Sequence, residues 1–225
     1  MPTILLTGAS RGIGLELAKA YHADGWDVIG TCRNAANAPV LDIEWHSLEV
    51  TDSSSLEKLA GAIGARPLDV IWNNAGVFLD KGVTTDEMTD MMWLETFHIN
   101  TIAPIRVARR FMENMTESQI RAAVFTSSRL GSISENTGGS LAYRTSKTAL
   151  NMAVNCLAHE FSEDGYSCVV FHPGWVKTDM GGSDADIDAL TSAQGMKSIV
   201  DRIQPNMQAE FNGKFFNYNG DTFGW

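Results

Sequence analysis

Tyr143 and Lys147 lie four residues apart. On a helix that spacing puts both side chains on one face. A free phenol titrates near pH ~10 and is a poor acid–base group at neutrality. A nearby ammonium favours the phenolate and brings it into range. Fifteen positions before Tyr143 stands Ser128, in Ser127-Ser128-Arg129-Leu130-Gly131. A hydroxyl there can hydrogen-bond the oxygen on which such an acid acts. Together these residue types suit proton transfer at a polarised oxygen. By itself Tyr-x3-Lys is common on partly exposed helix faces, so its meaning depends on its neighbours.

A second chemistry-bearing segment is Thr7-Gly8-Ala9-Ser10-Arg11-Gly12-Ile13-Gly14. It follows a short apolar run and opens a helical pattern. Glycines in a strand-to-helix turn allow the tight turn, let a pyrophosphate approach the backbone, and let helix and strand pack closely. The helix N-terminus adds free N–H groups and a positive dipole end. The spacing is Gly-x3-Gly-x-Gly rather than Gly-x-Gly-x-x-Gly. At the end of the second apolar run, where an acid would accept from a ribose 2′-hydroxyl, stands Gly30-Thr31-Cys32-Arg33. Arg33, with Arg11 in the glycine loop, can instead pair with a 2′-phosphate through its planar fork. The expected cofactor is therefore NADP(H) rather than NAD(H). Asn73-Asn74-Ala75-Gly76 offers a further close approach to a ligand, and Asn74 can either fix neighbouring loops or touch a ribose.

These segments need elements to hold them. Strands are predicted at Thr3–Thr7, Asp27–Cys32, Glu44–Leu48, Asp69–Asn73, Ala122–Thr126, Ser167–Phe171 and Lys214–Asn217. Helices are predicted at Gly12–Ala23, Ser53–Ile63, Leu94–Met115 (despite Pro104), Ala142–Ser162 and about Ala189–Ile203. Alternating strands and helices imply an α/β fold, one parallel sheet of about seven strands with helices on both faces. Ligands bind beyond the carboxyl ends of such strands, where the segments above fall. No repeat or linker divides the chain, so residues 1–225 read as a single domain.

Composition narrows the alternatives. The 225 residues carry 17 Lys and Arg against 27 Asp and Glu, a net charge of −10. That argues against nucleic-acid binding, which needs clustered cations. No run approaches the ~18 apolar residues of a membrane helix, and the first residues lack a secretory pattern. Cys32, Cys156 and Cys168 are an odd number without zinc spacing, which suits a reducing, cytoplasmic setting. His98, His159 and His172 lack partners at metal spacing, and no metal is expected. The cluster Met88–Met92 reads as a helix start or interface filler, and Trp45, Trp72, Trp93, Trp175 and Trp225 as core or rim.

Taken in order, the glycine loop, Asn73-Asn74-Ala75-Gly76, Asn100, Ser128, Tyr143-x3-Lys147 and His172-Pro173-Gly174-Trp175-Val176-Lys177-Thr178 resemble the short-chain dehydrogenase/reductase superfamily over nearly the whole chain. Tyr143-Arg144-Thr145-Ser146-Lys147 and the tail from Asn212 to Trp225 resemble its branch containing C-factor and the sniffer-type carbonyl reductases. The resemblance implies a Rossmann-type doubly wound fold and NADPH-dependent reduction of a carbonyl. Tyr143 is then the general acid, Lys147 lowers its pKa and holds the nicotinamide ribose, Ser128 orients the carbonyl, and Asn100 positions a water relaying protons to Lys147. Gly8, Ser10, Arg11, Gly12, Ile13 and Gly14 hold phosphate. Arg33, Glu49 and Val50 flank the adenosine, and Asn74, Ala75 and Gly76 line the cofactor. Pro173, Gly174, Val176 and Thr178 meet the nicotinamide. Ser127 and Ser128 are both candidates, and the Ser-Ser-x-x-Gly frame points to Ser128. The long spacing to Tyr143 implies a small insertion around Ser134–Gly139.

In this fold the segment after the sixth strand covers the substrate, here about residues 177–203. Its acidic stretch Met180–Asp188 implies a short lid over an open site. Trp175, Met180, Arg129, Leu130 and Asn136 are the candidate substrate walls, suited to a bulky ketone, quinone or aldehyde. The alternative is a C-factor-type signalling protein that binds the dinucleotide with little turnover. Relatives oligomerise through two long helices on one side of the sheet, so a dimer or tetramer is as open as a monomer.

Overall fold

Thr3-Ile4-Leu5-Leu6 has apolar side chains to both sides when extended, and every position is buried. A parallel sheet covered on both faces selects such a run. The structure is a computed structural model that describes residues 1–204 and 207–225. Its elements run β1 (Thr3–Leu6), α1 (Gly12–Ala23), β2 (Asp27–Cys32), β3 (Glu44–Ser47), α2 (Ser53–Ile63), β4 (Val70–Asn73), α3 (Asp90–Phe97), α4 (Ala103–Phe111), β5 (Ala122–Thr126), α5 (Leu141–Glu160), β6 (Ser167–His172), α6 (Ala189–Val200), α7 (Gln208–Phe211) and β7 (Lys214–Asn217).

The described strands form one sheet, ordered β3-β2-β1-β4-β5-β6-β7. All its pairings are parallel. The chain winds outward from β1 to β3, then crosses back to place β4 on the other side of β1. A crevice opens beyond that reversal. Alternation along each strand divides the core. Ile4, Leu6, Trp72 and Phe171 pack with Leu17 and Tyr21 of α1 and Met196 of α6. On the opposite face Leu5 and Ile71 meet Leu59 of α2 and Phe111 of α4, while Phe125 and Val170 meet Leu150 and Val154 of α5. Among the described residues no helix is long and apolar enough to cross a membrane.

The elements match the expected ones to within about three residues, except for α7, which is not among them, and the helix predicted over Leu94–Met115. That path begins earlier, at Asp90, where the Thr89 hydroxyl accepts from the Met92 N–H at 3.2 Å. It then widens into a π turn, His98–Ile102, before α4, and tightens into a 3₁₀ turn at Met112–Met115. Pro104 explains the widening. It has no N–H for the Asn100 carbonyl, and its ring crowds that oxygen.

Candidate functional site

Beyond the carboxyl ends of β1, β2, β4 and β5 lies a cavity of about 910 Å³. Gly8, Ser10, Arg11, Gly12 and Ile13 form one wall, with Arg33, Glu49 and Val50 at one end. Asn74, Ala75 and Gly76 form its floor, and Tyr143, Lys147, Pro173, Thr178 and Met180 also line it. Gly14, Gly174 and Val176, expected at the cofactor, do not line this space. Gly14 instead packs against the Gly8 carbonyl, and the open side of Gly174 is filled by Ile187 and Tyr218. Val176 is buried, bridged to Ile187.

The floor is tied together before any ligand is considered. Thr7 Oγ1 accepts from the backbone N–H of Asn74 at 3.0 Å and of Ala75 at 3.1 Å. Asn74 Nδ2 donates to the carbonyls of Thr7 at 3.3 Å and Gly8 at 3.2 Å. Asn74 thus fixes the loops, the first of its two expected roles. The first amides of α1 receive no side-chain cap among the described residues. Uncapped amides at a positive dipole end suit a pyrophosphate, so the residues present fit a dinucleotide. Arg33 is exposed at the end of the cavity it shares with Glu49 and Val50. Arg11 reaches across the mouth to Asp179, with Nη1 2.5 Å from the carboxylate.

Tyr143 and Lys147 share one face of α5, and both are buried. Lys147 Nζ donates to the Thr126 carbonyl at 2.9 Å and lies 5.8 Å from the Tyr143 ring centroid. Burial pushes this ammonium down to about 8. Burial also pushes the Tyr143 phenol up to about 12; a hydrogen bond from Ser128 opposes that rise, and the Asp80 charge adds to it. The phenol stands above its ordinary value although Lys147 shares its helix face, because loss of water around the ring raises it. The two serines part company. Ser127 lines the cavity, but its Oγ donates to Asn151 Oδ1 at 2.6 Å; Ser128 does not line it and stands beside the phenol. A β-carbon on Gly131 would lie 2.8 Å from backbone carbon of Lys147, so only glycine seats this serine turn on α5.

Asn100 lies behind the wall rather than on it. Its Oδ1 accepts from the Val77 N–H at 2.9 Å, and its Nδ2 donates to the Val77 carbonyl at 2.9 Å and to Ser146 Oγ at 3.1 Å.

On the expected substrate side only Met180 lines the cavity. Trp175 turns its Nε1 to the Gly181 carbonyl at 3.0 Å and is 51% exposed. Arg129 and Leu130 belong to the 3₁₀ turn after β5. Asn136 closes a turn within the exposed loop, accepting from the Gly138 N–H at 2.9 Å. Met91 and Leu94 of α3, not anticipated, line the cavity and are largely exposed. The expected cover over 177–203 also divides. Residues 177–188 form a loop, held in part by Lys81 Nζ on the Met180 carbonyl at 3.0 Å. The helical part, α6, packs on α1 and belongs to the core.

His172, at the end of β6, is largely buried, and its Nδ1 has no hydrogen-bond partner among the described residues. Burial and then the Arg129 charge push it down from 6.5 to about 4. The folded state thus binds fewer protons than the unfolded chain between those values. Its contribution to stability is complete above the ordinary value and is lost as pH falls toward 4. The denaturation midpoint of the protein should drop more steeply across that window than that of His172→Asn. Parallel curves would refute the assignment.

The chain belongs to the short chain dehydrogenase family, which it matches over residues 2–188. Among individual relatives, it is 40% identical over 161 residues to the C-signal protein of Myxococcus xanthus, covering 71% of this chain and 93% of that one. The carbonyl reductase Sniffer of D. melanogaster superposes over the full length of both chains, with a TM-score of 0.90 at 34% identity. The NADPH-bound carbonyl reductase from chicken fatty liver superposes with a TM-score of 0.85 at 30% identity, covering 100% of this chain and 99% of that one.

Proposed function

We propose that the protein reduces ketones, aldehydes or quinones to alcohols with NADPH, with Tyr143 as general acid. The observation carrying this reading is a buried phenol, protonated at neutral pH and paired with Ser128, in the wall of a dinucleotide-sized crevice. The Ser128 hydroxyl and the Tyr143 phenol address the carbonyl oxygen together. As negative charge develops there, Tyr143 gives up its proton. Lys147, charged at neutrality, stabilises the phenolate left behind and holds the nicotinamide ribose. Asn100 sets the Val77 backbone opposite, and its carbonyl, unserved by Pro104, is the group to hold a proton-relaying water. Pro173 and Thr178 meet the nicotinamide, and Glu49 and Val50 the adenine. The bound cofactor supplies the hydride. NADPH-bound and carbonyl-reducing structural relatives support the cofactor and the reaction class.

Arg11 and Arg33 are assigned to the 2′-phosphate. NADPH should bind at least about tenfold tighter than NADH, and Arg33→Ser should remove about tenfold of that preference, the scale of one charge-assisted hydrogen bond. Fluorescence titration with both cofactors, followed by turnover on a panel of quinones, aromatic ketones and aldehydes, tests the reading. Equal or tighter NADH binding overturns the cofactor assignment.

The likeness to C-signal favours a second reading, a signalling protein that binds the dinucleotide with little turnover. Binding alone has no use for the Tyr143 hydroxyl. Cofactor binding without turnover across the panel would favour this reading.

A further inference from the structure

Helix α5 starts without a local cap. Ser140, its N-cap residue, is in the left-handed region at φ 48° and caps no amide through its side chain among the described residues. The cap comes from 62 residues away. Asp80, in the loop after β4, is 0% exposed, and its Oδ2 accepts from the Ala142 N–H at 2.8 Å. The Tyr143 N–H lies 3.2 Å from Oδ1 and 3.3 Å from Oδ2. From the same loop Phe78 stacks on the Tyr143 ring, with centroids 4.1 Å apart and planes 14° apart. One short segment therefore grips the tyrosine by both its backbone and its ring.

We propose that Asp80 is the positioning residue for Tyr143: it anchors the first turn of α5 through two backbone amides, and its buried negative charge biases the phenol toward the protonated form. A carboxylate withdrawn from water keeps its field, since little solvent screens it. It is best tolerated where amides and a helix dipole face it. Three polar groups surround the phenol. Lys147 stands one turn along α5, Ser128 in the turn after β5, and Asp80 in the loop after β4. Lys147 favours the phenolate, Ser128 lowers the phenol, and Asp80 raises it. Asp80 therefore holds the phenol in its protonated form, the form from which carbonyl reduction starts. The inference rests on Tyr143 being the acid, and it names what holds that acid ready.

Asp80→Asn separates charge from cap. An amide oxygen can take the place of Oδ2, which faces both N–H groups, while the negative charge is gone. The first readout needs no turnover. Tyrosine is labelled with carbon-13 at the ring carbon bearing oxygen, and the Tyr143 signal is assigned by its absence in Tyr143→Phe. Followed between about pH 8 and 11, the signal should enter its titration about one unit lower in Asp80→Asn than in the parent. The second readout is the pH profile in both directions. Carbonyl reduction should lose its alkaline limb at lower pH, and alcohol oxidation should gain at neutral pH.

A merely structural cap would lower both directions by one factor at every pH and leave the Tyr143 titration in place, which would overturn the proposal. If Asp80→Asn does not accumulate, Asp80→Ser carries the same comparison, its hydroxyl accepting from the amides without charge. Full turnover by Tyr143→Phe would sink the reading of Tyr143 as acid, while the carbon-13 titration would still judge the charge effect by itself.

Discussion

Tyr143→Phe should fold, bind NADPH like the parent, and lose carbonyl turnover by about 10²–10⁴-fold, the usual contribution of a positioned general acid. Only the hydroxyl is removed. The ring keeps its stack on Phe78, and the backbone N–H keeps Asp80. Ser128 Oγ still accepts from the Leu130 N–H at 3.2 Å, so the serine turn stays put. Because the missing interaction forms as charge develops on the carbonyl oxygen, the loss should fall on kcat rather than on KM. The parent should hold its reduction rate through neutral pH, since burial pushes the phenol up to about 12 and keeps it protonated there. Melting curves, cofactor titrations and NADPH oxidation on one preparation measure all three quantities. Turnover within about tenfold of the parent would remove Tyr143 from the reaction.

The second large effect is expected at Gly14. A β-carbon there would enter the van der Waals sphere of the Gly8 carbonyl oxygen and lie 2.7 Å from Asn74 Nδ2. Neither neighbour is free to yield. Asn74 Nδ2 is bonded to that same carbonyl, and the Asn74 N–H to Thr7 Oγ1. Gly14→Ala should therefore lose about 2–3 kcal/mol of stability, as overpacked sites do. NADPH binding should weaken by more than about tenfold, because the displaced loop carries the amides that face phosphate. Gly61→Ala in α2 is the control. A β-carbon there meets nothing within 4 Å, so stability should hold or rise by up to about 1 kcal/mol. Denaturant titration of both variants decides the matter. A Gly14→Ala protein as stable as its parent would contradict the packing.

Much of this could be read from residue order because it is local. Apolar runs such as Val70-Ile71-Trp72 marked strands, and glycines and Tyr-x3-Lys marked loop and helix face. What escaped was set by contacts between distant segments. Asp80 sits in an unremarkable loop, and its partner amides are 62 and 63 positions away. Ser140, a residue type favoured at N-caps, precedes Leu141 and conceals the missing local cap. Gly131 was visible as part of a frame, but its contact with the Lys147 backbone was not. Pro104 stood inside the expected helix, and its missing N–H could have marked the π turn around Asn100. Ala193, Met196 and Val200 recur at helical spacing, which places α6 in the core rather than over the substrate. Met91, within the Met88–Met92 cluster, and Leu94 carried a helical signal but none for the cavity, because an exposed apolar side chain acquires that meaning only from the space beside it.

The Arg11–Asp179 pair has a consequence for affinity. With a net charge of −10, the protein repels an anionic dinucleotide at long range, so local cations must do the attracting. One of them already holds a carboxylate. On the proposed reading, a phosphate arriving at Arg11 displaces Asp179 instead of meeting a bare guanidinium. The strength of that contact is then the difference between two ion pairs, a swap of one anion for another across the same five N–H donors.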